Sequence, residues 1–124
     1  MGGIKRAQKL SKLSSIKYTY FEKNRINNEV KIISNSNINK YKNIFILDDM
    51  SDTCKTLEEC VKLVSNNQNN INILLTHVLN EETLNKKIKE KYNLKLHYSN
   101  TVTRNNKFNI DMINIISKYI SNLT

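Results

Sequence analysis

Two adjacent carboxylates, Asp48 and Asp49, end the apolar run Ile44-Phe45-Ile46-Leu47 and lead into Met50-Ser51-Asp52-Thr53-Cys54-Lys55-Thr56. Carboxylates accept hydrogen bonds from vicinal hydroxyls. Just downstream, Thr56 and Glu59 have the spacing of a capping box, which would open a helix over 56–64. A helix N-terminus offers free backbone N–H groups and the positive end of the helix dipole, and so favours anions. Thr53 and Thr56 would add hydroxyl donors to such a cradle. An anion site with hydroxyl acceptors one sugar length upstream suits ribose 5-phosphate. An Asp-Asp pair alone is equally an ordinary acidic turn. The combination of apolar strand, Asp-Asp, Asp-Thr, Thr and helix is what favours a site.

The elements that would position this segment follow from periodicity. Ile4, Ala7, Leu10 and Leu13 have helical spacing, and residues 16–21 alternate as a strand should. Residues 22–29 read as polar and irregular, and 30–34 as a short strand. Residues 43–48 are the strongest strand, apolar at four successive positions as expected of a strand covered on both faces. A strand over 71–76, a helix over 81–92 with Leu84, Ile88 and Tyr92 in one stripe, and a strand over 94–98 follow. The last segment, 111–123, reads as a helix with Met112, Ile115, Ile116, Tyr119 and Ile120 facing inward. Alternation of strand and helix from residue 43 predicts an α/β fold, a mostly parallel sheet with helices on both faces and right-handed crossovers. Ligands bind beyond the carboxyl ends of such strands, so the segments after 21, 48, 76 and 99 are the ones to read for function. His77 falls at that edge, His97 lies within a strand with no evident partner, and Arg104 and Lys107 lie in the last loop.

The 124 residues predict one domain spanning the whole chain, with 39% hydrophobic and 25% charged residues, an ordinary globular composition. No apolar run approaches the roughly 20 residues a membrane span needs, so no membrane partner is expected. No secretory h-region stands at the N-terminus. Cys54 and Cys60 form neither a CxxC pair nor a zinc spacing. A reduced, cytoplasmic setting is the expectation, with no metal ligands and Cys60 in the core. The formal net charge of +9 goes with heavy use of Lys, Asn and Ile, as an A+T-rich coding sequence gives. The lysines are dispersed, which argues against a nucleic-acid stripe. Proline is absent and the only glycines are Gly2 and Gly3, so asparagine is expected to form the turns, as in Asn66-Asn67-Gln68-Asn69-Asn70.

The run IFILDDMSDTCKTLEECVKLV resembles the phosphoribosyl diphosphate-binding motif of type I phosphoribosyltransferase folds, and in detail that of ribose-phosphate pyrophosphokinase. The likeness is collinear over most of the chain. GGIKRAQKLS resembles the family's helix after its second-half glycine pair, and FEKNR the start of its flexible catalytic loop. ILLTHVL resembles its Thr-His strand end, and SNTV with FNIDMINIISKYI its last loop, strand and helix. The family transfers a diphosphoryl group from Mg-ATP to the 1-hydroxyl of ribose 5-phosphate. The resemblance therefore implies ribose hydroxyls on Asp48 and Asp49, and the 5-phosphate on Asp52, Thr53, Cys54, Lys55 and Thr56. It also implies Lys23 and Arg25 as catalytic cations over the transferring phosphates, and Mg2+ entering with ATP on ligands mostly outside this chain.

Three departures from the family shape further expectations. The matching segment begins at the glycine pair, so the family's N-terminal half and its purine contacts are expected elsewhere, with assembly into a homo-oligomer or with full-length subunits. A non-catalytic subunit acting by assembly is the alternative function. Lys55 stands where the family has glycine, which implies either positive-φ strain at Lys55 or an ammonium bound directly to phosphate. The family's Ser-Gly-Pro segment after Thr76-His77 is missing, so its regulatory binding is not expected. A nucleobase phosphoribosyltransferase shares the Asp-Asp loop, but the segments at 21–25 and 76–100 fit it less well.

Overall fold

Helical spacing near the N-terminus does produce a helix: in the computed structural model α1 spans Gly2–Ser14. The structure describes residues 2–26, 29–34, 37–102 and 110–122, with backbone alone at 22–26 and 29–34. Ser15 follows α1 with φ of 57°, a left-handed residue of the kind that commonly closes a helix.

The strand expected over 16–21 is displaced. Residues 16–20 have no regular structure, and β1 runs from Phe21 to Ile26 through the segment whose polarity suggested a loop. It pairs antiparallel with β2 (Glu29–Ser34), Phe21 opposite Ser34 and Ile26 opposite Glu29. Two features override the polar composition. Val30, Ile32 and Ile33 give the partner strand high β-propensity. Only Asn27 and Asn28 separate the arms, the two-residue spacing that tight hairpins use.

From residue 43 the order is as the alternation predicts. β3 (Asn43–Ser51), α2 (Lys55–Val64), β4 (Asn70–Val78), α3 (Glu81–Leu84) running on as a π-turn over Asn85–Lys89, and β5 (Leu94–Tyr98) follow in turn. The three strands form a parallel sheet in the order β3-β4-β5. Ile44, Ile71 and Leu94 are neighbours in register, as are Ile46, Ile73 and Leu96, so they share one face. On that face the four isoleucines join Leu57, Cys60, Val61 and Val64 of α2, Leu84 of α3 and Ile88 of the π-turn in a single buried cluster, with Leu94 and Leu96 packed against it. Cys60 is a core residue, as expected. The β1–β2 hairpin lies against α2, and α1 lies against β3.

Cover on both faces of β3 is not what the described residues give. Ile44 and Ile46 are buried, but Phe45 between them is 47% exposed. The continuous apolar run thus reads as a two-sided strand while only one side meets helices over its whole length. α4 (Met112–Ser121) is the matching correction. Asp111 caps it through Asn114 N–H at 3.2 Å, so helix and cap form where the sequence places them. Yet α4 has no buried residue, and Ile115, Ile116, Tyr119 and Ile120, expected to face inward, are all at least half exposed. Amphipathic spacing makes a helix; which surface covers its stripe is a separate matter of tertiary contact. Upstream of α4, Ile110 makes a parallel bridge to Ser99, and Asn100 ties the two ends together through Asp111 Oδ1 and Met112 N–H, both at 2.9 Å.

The asparagines do build turns, but through their side chains. Asn66 Oδ1 accepts from Gln68 N–H at 2.8 Å, Asn69 Oδ1 from Asn66 N–H at 3.2 Å, and Asn69 Nδ2 donates to Val64 O at 2.5 Å. Among the described residues the left-handed positions fall on Ser15 and Cys54, not on asparagine. No helix among them is long and apolar enough to cross a membrane.

Candidate functional site

β3 is longer than its apolar core, so Asp48 and Asp49 are strand residues and not the first residues of a loop. Asp48 lies beside Leu75 of β4, on the face that carries Ile44 and Ile46. Asp49 alternates to the other face, where its carboxylate meets the Arg6 guanidinium of α1 at 3.0 Å. The Asp49 N–H donates to Asp48 Oδ1 at 2.9 Å. The two carboxyls are electrostatically unlike. Burial at the edge of the core pushes Asp48 above its ordinary value of 3.8, and the neighbouring Asp49 carboxylate adds to the rise. Arg6 holds Asp49 below that value, with help from its hydrogen bond to Asp48. Asp49 keeps 55% of its side chain exposed and Arg6 42%, so the ion pair is open to a ligand.

Only Asp52, Thr53 and Cys54 separate β3 from α2. The expected capping box does not form. α2 opens at Lys55, and its cap position is Cys54, in the left-handed conformation (φ 60°, ψ 3°) and without a side-chain cap bond. The physical reason is burial. The Cys54 side chain is 4% exposed and turns inward, its Sγ 3.1 Å from the buried Ser51 Oγ. Placing the thiol in the core rotates the backbone, and Thr56 falls inside the helix. Cys54 O still closes the first turn, accepting from Glu58 N–H at 2.8 Å. The strain anticipated at Lys55 therefore sits one residue earlier. Lys55 is helical, with its side chain exposed. Asp52 and Thr53 are exposed at the turn, ahead of the first N–H groups of α2, which a helix leaves without intrahelical acceptors.

Lys87 joins the site from a distant segment. It sits in the π-turn after α3, and its Nζ donates to Thr53 O at 3.1 Å. The Lys86-Lys87 pair is visible in the sequence, but nothing there says that one of them reaches a turn 34 residues earlier. Arg6 was hidden in the same way, inside a segment chosen only for its apolar spacing. On α2 itself, Glu58 is held below its ordinary value, chiefly by its hydrogen bond to Lys91.

At the next strand end, β4 extends to Val78, so His77 is within the strand, paired with Met50 of β3. Its Nδ1 lies 2.7 Å from Thr101 Oγ1. Thr101 Oγ1 and Ser99 Oγ both donate to Thr76 O, at 2.9 and 2.6 Å. His97 has a partner that the sequence did not indicate, Asn72 Oδ1 at 3.3 Å. Lys23 and Arg25 have their backbone in β1, opposite Ile32 and Val30; their side chains lie outside the described residues. Arg104 and Lys107 also lie outside the described residues. A shallow open cleft beside α3 is lined by Glu81, Asn85, Lys89, Glu90 and Tyr98, with none of the expected site residues. Among the described residues no three His, Cys, Asp or Glu side chains come together as a metal set.

What the structure brings together, then, is Asp48 and Asp49 with Arg6, and the 52–54 turn with Lys87 and the start of α2. No family model matches the chain, and no curated protein matches it.

Proposed function

We propose that the chain is a ribose 5-phosphate-binding domain of type I phosphoribosyltransferase-like fold, contributing the sugar-phosphate half of a ribose-phosphate pyrophosphokinase site. The observation that carries this is one of placement. An Asp48–Asp49 pair near the carboxyl end of β3 is followed, after the five residues 50–54, by the N-terminus of α2. Asp48 and Asp49 accept the ribose hydroxyls, with Asp49 released in part from Arg6. The turn residues Asp52, Thr53 and Cys54, with Lys55 and Thr56 at the head of α2, surround the 5-phosphate, and Lys87 adds positive charge beside Thr53. In the resembled family Mg2+ arrives with ATP; the described residues offer no metal set of their own, and Lys23 and Arg25 are the cations the resemblance assigns to the transferring phosphates.

Calorimetric titration tests this. Ribose 5-phosphate should bind saturably and more tightly than either ribose or inorganic phosphate, and Asp49→Asn should weaken ribose 5-phosphate and ribose but not phosphate. Ribose 5-phosphate binding no tighter than phosphate alone would overturn the assignment.

A second reading, a subunit that acts only through assembly with longer chains of the same kind, is favoured by α4. Its Ile113, Ile115, Ile116, Tyr119 and Ile120 stand exposed, an apolar stripe suited to burial in an oligomer. Diphosphoryl transfer by the purified chain alone would eliminate it.

A further inference from the structure

Four contacts join Thr76, His77, Ser99 and Thr101 at the carboxyl edge of β4 and just past β5. They are Ser99 Oγ to Thr76 O (2.6 Å), Thr101 Oγ1 to Thr76 O (2.9 Å), Ser99 Oγ to Thr101 Oγ1 (3.0 Å) and His77 Nδ1 to Thr101 Oγ1 (2.7 Å). Each hydroxyl has one proton, and a carbonyl oxygen has two acceptor positions. If His77 Nδ1 carries no proton, the two hydroxyl protons satisfy two of these contacts and leave two oxygen or nitrogen pairs facing each other with none. If Nδ1 carries the proton, both hydroxyls donate to Thr76 O, Thr101 Oγ1 accepts from His77, and three contacts are satisfied. The short carbonyl distances of Thr76 are those of two donated bonds. The network thus selects the Nδ1–H form of the imidazole.

That choice has a chemical consequence at the other nitrogen. In a neutral imidazole with Nδ1 protonated, Nε2 is an acceptor. Among the described residues His77 has no partner besides Thr101. His77 pairs with Met50 and Asp48 with Leu75, so His77 stands one diagonal step from Asp48 across adjacent strands at the carboxyl edge of the sheet, about 7–8 Å apart at the backbone and within reach of a common small ligand. We propose that His77 is a sugar-recognition residue: Thr101 fixes it as the Nδ1–H tautomer, and its Nε2 accepts a hydrogen bond from a hydroxyl of the sugar that Asp48 also holds. The role rests on the ribose 5-phosphate reading above, while the tautomer stands on the hydrogen-bond network alone.

Two measurements on the full chain separate these. Nitrogen-15 NMR of the imidazoles, at mildly alkaline pH without ligand, should give a protonated Nδ1 and an unprotonated Nε2 for His77, and Thr101→Val should abolish that preference. An Nε2–H form in the unaltered protein would overturn the proposal whatever the ligand does. Titration with ribose 5-phosphate should then shift Nε2 more than Nδ1. His77→Asn keeps a donor where Nδ1 stands and removes Nε2; it should bind ribose 5-phosphate roughly three- to tenfold more weakly, the worth of one hydrogen bond. Its affinity for inorganic phosphate and its melting temperature should be unchanged. Equal ribose 5-phosphate affinity in His77→Asn would overturn the contact. Failure of the unaltered protein to bind ribose 5-phosphate would overturn the site reading and the sugar role with it, and is distinguished by an Nδ1–H spectrum that remains as expected.

Discussion

Glycine substitutions at residues 54 and 55 should have opposite effects on stability. Cys54 is left-handed, with φ of 60°, while Lys55 is the first helical residue. At 54 the useful comparison is Cys54→Gly against Cys54→Ala, because both remove the buried thiol and its contact with Ser51 Oγ. Their difference is then a backbone effect. A non-glycine residue in the left-handed region costs about 1–2 kcal/mol. Glycine loses about 0.4–1 kcal/mol more than alanine in chain entropy on folding. The balance leaves Cys54→Gly about 0.8 kcal/mol more stable than Cys54→Ala. For 124 residues the unfolding entropy is about 0.26 kcal/mol/K, so the two melting temperatures should differ by about 3 °C. At 55 the left-handed term is absent, and Lys55→Gly should be less stable than Lys55→Ala by about 0.5–1 kcal/mol. Thermal unfolding followed by circular dichroism reads all four variants. If glycine stabilises at 55 and not at 54, the left-handed residue is at 55, where the resembled family has its glycine, and the inward turn of Cys54 is the wrong account of this loop.

The buried carboxyl gives a pH test. Because burial raises Asp48 above 3.8, the folded state keeps that proton to higher pH than the unfolded chain; the associated stability is complete below 3.8 and is lost as pH rises through the folded value. Asp48→Asn should therefore match the wild-type melting temperature near about pH 3 and exceed it at neutral pH, while binding ribose 5-phosphate more weakly; a difference constant with pH would refute the assignment. Tyr98 is pushed up to about 12, by burial and then by its hydrogen bond to Glu81, so its contribution is present at neutral pH and lost as pH climbs from 10 toward 12; Tyr98→Phe should remove that alkaline slope in urea melts and cost about 1 kcal/mol at neutral pH. Leu84 and Ile88 are fully buried on either side of the change from α to π winding, and alanine at either should cost about 2–5 kcal/mol in urea unfolding; a loss below about 1 kcal/mol at Ile88 would mean the π-turn does not dock as described.

The parts of the fold legible in the sequence were those written as local periodicity. β5 is the clearest case: Leu94 to Tyr98 alternate, and the strand has those ends. Leu84 and Ile88 likewise signalled the buried stripe that runs from α3 into the π-turn. The segment at 22–26 was misleading because a strand can be recruited by its partner's apolar residues and a short connection, neither of which its own composition records. Cys54 defeated local reasoning in the other direction. Thr56 and Glu59 carry a genuine capping pattern, but a thiol drawn into the core moved the helix start by one residue. At the site, Asp48 and Asp49 were legible because they adjoin an apolar strand. Arg6 and Lys87 were not, because each reaches the site from a distant segment through a long side chain, and lysine and arginine are too common here for either to stand out.

The difference between the two carboxyls gives the site a direction. A ligand hydroxyl that reaches Asp48 meets a group whose negative charge the core resists, so donating a hydrogen bond there relieves part of the desolvation that raises its pKa. A hydroxyl that reaches Asp49 meets a carboxylate already stabilised by Arg6, so it must share or displace a guanidinium, and the exposed ion pair being exchanged is worth at most about 1 kcal/mol. A bound sugar would therefore be held more strongly at Asp48, while Asp49 would be an adjustable contact whose strength should rise with salt as Arg6 is screened. Removing Arg6 should consequently alter stability little and strengthen the Asp49 contact with a sugar. Removing the Asp48 charge should raise stability and weaken binding together, the opposite pairing, and that contrast follows from the burial of one strand residue and the exposure of the next.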